Sequence, residues 1–333
     1  MSTKTVRFSK NTTNIFFHIL TSCNLRCRHC YINPEQHGGN TLSLTRIKQW
    51  LASFSDKMAE ANIVFLGGEP TLHPDLAPAV DYARQLGANS VTVDTNGYLF
   101  NDILAKTSPD RLDYVSFSLD GATRSTNDSI RGEGSYEACL SGIKEAVSRG
   151  YHTSLIYTVS MDNIDELASM ATIVPELGVD RFFIQVLGIR GKSARNQKHD
   201  SRQVPAERWT QEIPAAAAAI AGHGLTVSFP RVFLEASETF ECAGLVADNY
   251  FIFPNGRVYR CPLCEDFPLH SLEFRDDQLV SRPPLNESDL FRLTIPEGCV
   301  MNKLIQPDNL SYNEAGLPVN RVACCMLKEE VSR

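Results

Sequence analysis

Cys23, Cys27 and Cys30 stand in a C-x3-C-x2-C spacing within HILTSCNLRCRHCYINPEQ, directly after the first apolar run of the chain. With ten cysteines in 333 residues, a given triplet of this kind arises by chance only about 0.01 times in such a chain. Structural zinc closes its site with four protein ligands, so three thiols leave a position open for chemistry. An iron-sulfur cluster held by three thiolates likewise leaves one iron free for an exogenous ligand. A structural zinc site is the alternative reading of the same residues. A second stretch, FLGGEPTLHPDL, sets two glycines before a carboxylate. Gly67 and Gly68 let the backbone approach a ligand closely, and Pro70 holds Glu69 at a strand end. DTNGYL and SFSLDGATRSTNDSIRGEGSY place Asn96, Ser118 and Asp120 at further strand ends, where Asn-Gly and Asp-Gly also read as ordinary turns. Arg131 and Gln185 suit a carboxylate or a ribose, or equally a surface or capping role. Cys139, inside a helical pattern, reads as a small core residue.

These residues need a frame that brings strand ends together. Apolar β-branched runs at Ile15 to Leu20, Ile63 to Leu66, Ser90 to Asp94, Tyr114 to Leu119, Ser154 to Val159 and Phe182 to Val186 alternate with helical patterns. Six such strands with helical crossovers predict an α/β fold with a parallel sheet, an open (β/α)6 partial TIM-type barrel over residues 10–225. The cysteine triplet then occupies the loop after the first strand, on the face where such barrels carry their chemistry. Gly188 to Glu207 reads as a polar loop, and PAAAAAIAGHG, Pro214 to Gly224, as the tail of a helix stopped by glycine. Residues 226–333 form a second region with one clear hairpin, NYFIFPNGRVYRC, turning at Pro254-Asn255-Gly256. Six cysteines fall there: Cys242, Cys261, Cys264, Cys299, Cys324 and Cys325.

A formal charge of −7 argues against a nucleic-acid or anionic-membrane partner. No segment approaches the roughly 20 apolar residues that span a bilayer, and no secretory signal opens the chain. The expected compartment is cytoplasmic, where clustered thiols stay reduced and bind metal. About 14 residues precede the first expected strand, too few for an independent substrate-binding fold.

CNLRCRHCY resembles the cluster-binding loop of radical S-adenosylmethionine (radical SAM) enzymes. The resemblance implies that Cys23, Cys27 and Cys30 hold a [4Fe-4S] cluster whose free iron binds the amino and carboxylate groups of S-adenosylmethionine. Cleavage of the sulfonium then gives methionine and a 5'-deoxyadenosyl radical that abstracts a substrate hydrogen. His29 or Tyr31 would pack near adenine, and Tyr31 is the residue assigned to the cofactor. GGEP resembles the family's motif of that form, in which Gly67, Gly68 and Glu69 engage the methionine ammonium. Asn96, Ser118 and Asp120 are placed near the cofactor or substrate, with Ser118 at the ribose.

Cys242, Gly256, Cys261 and Cys264, in a C-x13-G-x4-C-x2-C pattern, resemble the start of the SPASM/Twitch extension. The dense cysteine run that continues a full SPASM domain is absent. A single-cluster, Twitch-like extension is therefore expected, its auxiliary [4Fe-4S] cluster on Cys242, Cys261 and Cys264 with Cys299 as fourth ligand. Cys324 or Cys325 is the alternative fourth ligand, and zinc the alternative metal. The resemblance implies an oxidoreductase or maturase that modifies a peptide or protein with help from the auxiliary cluster. The alternative is oxidation of a small molecule such as a sugar or cofactor precursor, and a further one a non-catalytic iron-sulfur or zinc protein. A low-potential donor such as flavodoxin or ferredoxin would supply electrons.

Overall fold

The computed structural model describes residues 2–194, 202–235, 237–283 and 285–332. In chain order the strands are β1 (Ser2–Val6), β2 (Thr13–Leu20), β3 (Ala61–Gly67), β4 (Ser90–Thr95), β5 (Tyr114–Ser118), β6 (Thr153–Val159), β7 (Arg181–Val186) and β8 (Thr226–Pro230). There follow β9 (Phe233–Leu234), β10 (Asp248–Ile252), β11 (Arg257–Tyr259), β12 (Leu272–Arg275), β13 (Gln278–Ser281), β14 (Arg321–Val322) and β15 (Lys328–Ser332). All six expected strands are present as β2 to β7, side by side and parallel, so the fold is mixed α/β around a large parallel sheet.

The sheet extends beyond those six strands at both ends. β8 adds parallel to β7, and β10 adds parallel to β2. The full order is β1-β15-β8-β7-β6-β5-β4-β3-β2-β10-β11-β12-β13, so strands from beyond residue 225 continue the same sheet on both sides. The expected hairpin is β10 and β11, paired Phe251 to Tyr259, with Gly256 at φ +87° in its turn.

Alternation along each strand separates two faces. Val91 and Val93 of β4, Ile15 and Phe17 of β2, and Val115 and Phe117 of β5 join the main core. Ile47, Val80, Ile143, Val174 and Ile220 from the intervening helices pack onto that same core. The other face carries Phe16 and His18 of β2, Thr92 and Asp94 of β4, Ser116 of β5 and Phe183 of β7. The Ala-rich segment lies in a helix, Ala206–Ala221, with Pro214 inside it. The expected loop 188–207 falls partly outside the described residues, at 195–201.

Beyond the six strands and the hairpin, β1, β8, β9 and β12 to β15 were not foreseen. β1, STKTV, is exposed throughout and pairs antiparallel with β15. It has no apolar face to advertise it, and its pairing with the far end of the chain makes it a strand.

Candidate active site

The cysteine loop leaves β2 at its C-terminal end and is clamped from below by the next βα turn. Gly68 N–H donates to Leu20 O at 3.1 Å and Glu69 N–H to Ser22 O at 2.9 Å. This approach explains the glycine pair. A Cβ on Gly67 would lie 2.3 Å from Leu20 O, and one on Gly68 would lie 2.1 Å from Ser22 O, in each case against backbone. Gly68→Ala must therefore shift the loop, and overpacking of this kind costs about 1–3 kcal/mol. We expect the variant to bind S-adenosylmethionine about tenfold more weakly or worse, measured by equilibrium dialysis of the reconstituted enzyme.

Within the loop Cys23 is exposed and Cys27 and Cys30 are half-buried. Cys23 Sγ accepts from Leu25 N–H at 3.3 Å and from Asn96 Nδ2 at 3.8 Å. Asn96 Nδ2 also donates to Asn24 Oδ1 at 2.8 Å, so the end of β4 is tied to the loop. Cys27 Sγ lies 3.7 Å from Arg131 O, and Arg28 N–H donates to Ile130 O at 2.9 Å. Burial pushes the Cys23 thiol up to about 11, and the neighbouring Cys27 and Cys30 add to the rise. Burial also raises Cys27, with Arg131 opposing it.

Glu69 is buried and fully engaged. Its Oε1 accepts from Thr71 Oγ1 at 2.6 Å, Thr95 Oγ1 at 2.8 Å and Thr71 N–H at 3.1 Å, while Oε2 accepts from Asn96 N–H at 2.7 Å. Burial raises its pKa against those four donors. In this arrangement Glu69 locks the ends of β3 and β4 together, with one donor on Oε2 against three on Oε1.

Asp120 is fully buried and meets Arg131 Nε at 2.5 Å and His29 Nε2 at 3.3 Å. The Asp120 to Arg131 contact is an ion pair that lacks linear hydrogen-bond geometry. Asp120 Oδ1 accepts from Thr158 N–H at 2.7 Å. Burial lowers His29 to about 4, with Asp120 opposing, so its ring is neutral near pH 7. His29 thus faces Asp120. Tyr31, on the other side of Cys30, turns the opposite way: its hydroxyl lies 2.7 Å from His18 Nε2 and its ring 4.9 Å from the Arg190 guanidinium. Ser118 stands at the end of β5, where its carbonyl accepts from Cys139 Sγ at 3.5 Å. Cys139 is fully buried in the main core, and Gln185 is exposed on β7.

The C-terminal thiols gather in a second place. Cys242, Cys261, Cys299, Cys324 and Cys325 line one cavity with Phe240, Phe291 and Met326. Cys264, expected from the sequence among the ligands, is buried beside Cys261, and Cys324 and Cys325, the alternative fourth ligands, lie on the cavity wall with Cys299. Adjacent cysteines at the end of a weakly patterned region give no signal of where they fold. Hydrogen bonding from Cys325, then from backbone N–H groups of Ala243 and Met326, lowers Cys324 to about 7. Glu287, buried and raised to about 7 by desolvation, accepts from Arg260 N–H at 2.7 Å and Cys261 N–H at 3.2 Å and so fixes the start of the Cys261 turn.

Among the described residues no three His, Cys, Asp or Glu side chains converge as a single metal ion would require. Zinc, with bonds near 2.3 Å to every sulfur, needs that convergence. A cuboidal cluster does not, because each thiolate binds a different iron.

The radical SAM superfamily model matches residues 18–174. The chain is 32% identical over 202 residues to the Fe-coproporphyrin III synthase of Methanosarcina barkeri (strain Fusaro / DSM 804), an overlap of 59% of this chain and 49% of that protein. It is 30% identical over 212 residues to a probable GTP 3',8-cyclase of Saccharolobus islandicus (strain L.S.2.15 / Lassen #1), covering 62% of this chain and 67% of the relative. The chain thus spans about half the length of the first and two thirds of the second. The solved structure of Streptococcus suis SuiB bound to precursor peptide SuiA superposes with a TM-score of 0.65 at 13% identity, over 91% of this chain and 66% of that one, a likeness of fold. No helix among the described residues is long and apolar enough to cross a membrane. With the thiol loop, the clamping glycines and these relatives together, the chain belongs to the radical SAM superfamily, as an enzyme that binds S-adenosylmethionine and a [4Fe-4S] cluster.

Proposed function

We propose that this enzyme oxidises a polar small molecule at an unactivated C–H bond, with a Twitch-like auxiliary [4Fe-4S] cluster beside the substrate. The observation that carries this reading is a single apolar cluster joining the two thiol groups. Ile32, Phe251, Phe253, Tyr259 and Leu263 link Cys30 on one side to Cys242, Cys261, Cys264 and Cys299 on the other. Residues 10–225 carry the radical site and residues 226–333 the auxiliary one.

Cys23, Cys27 and Cys30 would hold the first cluster, which when bound supplies the electron that cleaves S-adenosylmethionine to methionine and a hydrogen-abstracting 5'-deoxyadenosyl radical. Glu69 Oε2 and the backbone of Gly67 and Gly68 would orient the methionine end, and Asn96 fixes the Cys23 side of the loop. Ser118 lies at the ribose in this reading. Asp120 and Arg131 keep the Cys27 side rigid, and Tyr31 closes the wall between the two thiol groups. Cys242, Cys261 and Cys299 with Cys324 or Cys325 would hold the second cluster. Relatives at 30–32% identity are named for small-molecule products and substrates, which supports a small substrate.

A second reading, peptide modification, is favoured by the outer edge of β13, which has no neighbouring strand among the described residues and suits addition of an extended peptide. The peptide named in the SuiB structure supports it as well.

The test is iron and acid-labile sulfide per chain after anaerobic reconstitution of the Cys23→Ala/Cys27→Ala/Cys30→Ala variant. About four of each should remain on the C-terminal thiols. Essentially none would remove the auxiliary cluster and leave a single-cluster enzyme.

A further inference from the structure

The Cys30 end of the cluster loop is held by residues that the cofactor reading does not use. After Cys30 the chain runs through Asn33 into one helical turn, Pro34–His37. The segment that follows β7 passes the same place. Lys192 N–H donates to Cys30 O at 3.0 Å, and a Cβ on Gly191 would lie 2.2 Å from Tyr31 O, so this segment presses directly on the backbone of the cysteine loop.

Both segments are tied to the two acidic residues that follow Cys264. Asp266 divides its carboxylate between them: Oδ1 accepts from Asn33 Nδ2 at 2.8 Å and Oδ2 from Gly191 N–H at 3.0 Å. Glu265 Oε2 accepts from Arg190 Nη1 at 2.6 Å, and the same nitrogen donates to Pro262 O while the guanidinium lies 4.9 Å from the centre of the Tyr31 ring. Glu265 O takes a bond from His37 Nε2 at 3.0 Å. A carbonyl can only accept, so the ring proton sits on Nε2 and leaves Nδ1 to accept from Asn33 N–H, which it does at 3.0 Å. On the other side these residues continue the thiol turn, in which Cys264 N–H donates to Cys261 O at 3.1 Å and Cys261 and Pro262 line the second cavity. One bonded path thus runs from Cys261 through Asp266, Gly191 and Lys192 to Cys30.

Building on the auxiliary-cluster reading, we infer that Asp266 is a positioning residue of the radical site, through which a loaded second thiol site tightens S-adenosylmethionine binding at the first. Asp266 holds Asn33 and Gly191 in one grip and so fixes the Cys30 end of the cluster loop, as Asn96 fixes the Cys23 end. With the second site empty, the Cys261 to Cys264 turn lacks its metal bonds, and the ordering it would have supplied falls on the binding of S-adenosylmethionine instead. Asp266 isolates this role better than Glu265. Removing Glu265 would strand the Arg190 charge, whereas Asp266 is half-buried and accepts from an amide side chain and a backbone N–H, so its loss strands no cation.

The test measures S-adenosylmethionine affinity by equilibrium dialysis, and iron per chain, on anaerobically reconstituted wild type, Asp266→Ala, Asp266→Asn, Cys261→Ala/Cys299→Ala and the last combined with Asp266→Ala. Wild type should carry about eight irons, and Asp266→Ala should keep them while binding at least about tenfold more weakly. Its KM for S-adenosylmethionine should rise to match, with 5'-deoxyadenosine release at saturation within about twofold of wild type, the split expected of a residue that never touches the reacting atoms. Asp266→Asn keeps one acceptor oxygen of the two and should lose only about threefold. The cysteine variant should keep about four irons and lose at least about tenfold in affinity, and adding Asp266→Ala should cost less than about a further twofold, because both act through one path. Wild-type affinity in Asp266→Ala at full iron, or losses that multiply in the combination, would overturn the inference. If Asp266→Ala does not fold, Asp266→Asn decides, and wild-type affinity there at full iron overturns it. About four irons on wild type and cysteine variant alike would remove the auxiliary cluster and with it the coupling, while the Asp266 variants would still decide the positioning role.

Discussion

Cys27→Ala, reconstituted anaerobically and supplied with reductant and S-adenosylmethionine, is expected to release 5'-deoxyadenosine at a rate lower than wild type by at least about 10³-fold, as when one member of a catalytic unit is removed. Cys23→Ala and Cys30→Ala should do the same, and combining them should add nothing further, because one missing thiolate already breaks the set. Cys27 is the sharpest of the three to test. Its thiol is half-buried, drawn toward Arg131 O and raised by burial, so it sits in a place suited to a ligand and poorly suited to an idle thiol. The matched control is Cys139→Ala. Cys139 is fully buried in the helix Ser135–Ser148 and belongs to the main core, so its loss should lower the melting temperature and leave the release rate within about twofold. Chromatographic quantitation of 5'-deoxyadenosine checks both. Release at the wild-type rate from Cys27→Ala would remove the triplet from the chemistry.

The triplet, the glycine clamp and the strands β2 to β7 were legible because each is a local pattern: a spacing, a doublet, a run of β-branched residues. The hairpin of β10 and β11 was legible for the same reason, through its Pro254-Asn255-Gly256 turn. What escaped depends on partners far away in the chain. β1 exists because β15 lies beside it, 322 positions later at the Lys328 to Val6 pairing. Arg190 pairs with Glu265 at 2.6 Å, and His37 Nε2 reaches Glu265 O at 3.0 Å, contacts that fasten the first cysteine loop's surroundings to the second thiol region. Neither end of those contacts carries a periodic or motif signal. The second thiol cavity shows the same limit. Spacing identified Cys242, Cys261 and Cys264, but only the fold brings Cys299, Cys324 and Cys325 to one wall with Cys242 and Cys261.

The second large effect is on stability, and it concerns the residue that backs Cys27. Arg131→Met is expected to cost about 3–5 kcal/mol, the range for breaking a buried ion pair by removing one partner. Asp120 is fully buried, and among the described residues the only basic side chains within 4.0 Å of its carboxylate are Arg131 and His29. His29 gives little help, since burial lowers its pKa to about 4 and leaves it neutral near pH 7. Without Arg131 the carboxylate keeps one backbone donor on Oδ1, Thr158 N–H, and no counter-charge. Asp120→Asn/Arg131→Met should recover most of the loss, because the uncompensated charge is gone, and the shortfall from additivity in the double-mutant cycle should reach about 2 kcal/mol or more. Urea unfolding midpoints of the four proteins read this directly. Losses that simply add, or a cost of Arg131→Met below about 1 kcal/mol, would show that the pair carries little. The consequence reaches the site through the chain itself. Arg131 closes the helix Arg124–Arg131, its carbonyl faces Cys27 Sγ, and Ile130 O holds Arg28 N–H, so a helix end that frays on losing its ion pair releases the thiol loop on the side opposite Glu69.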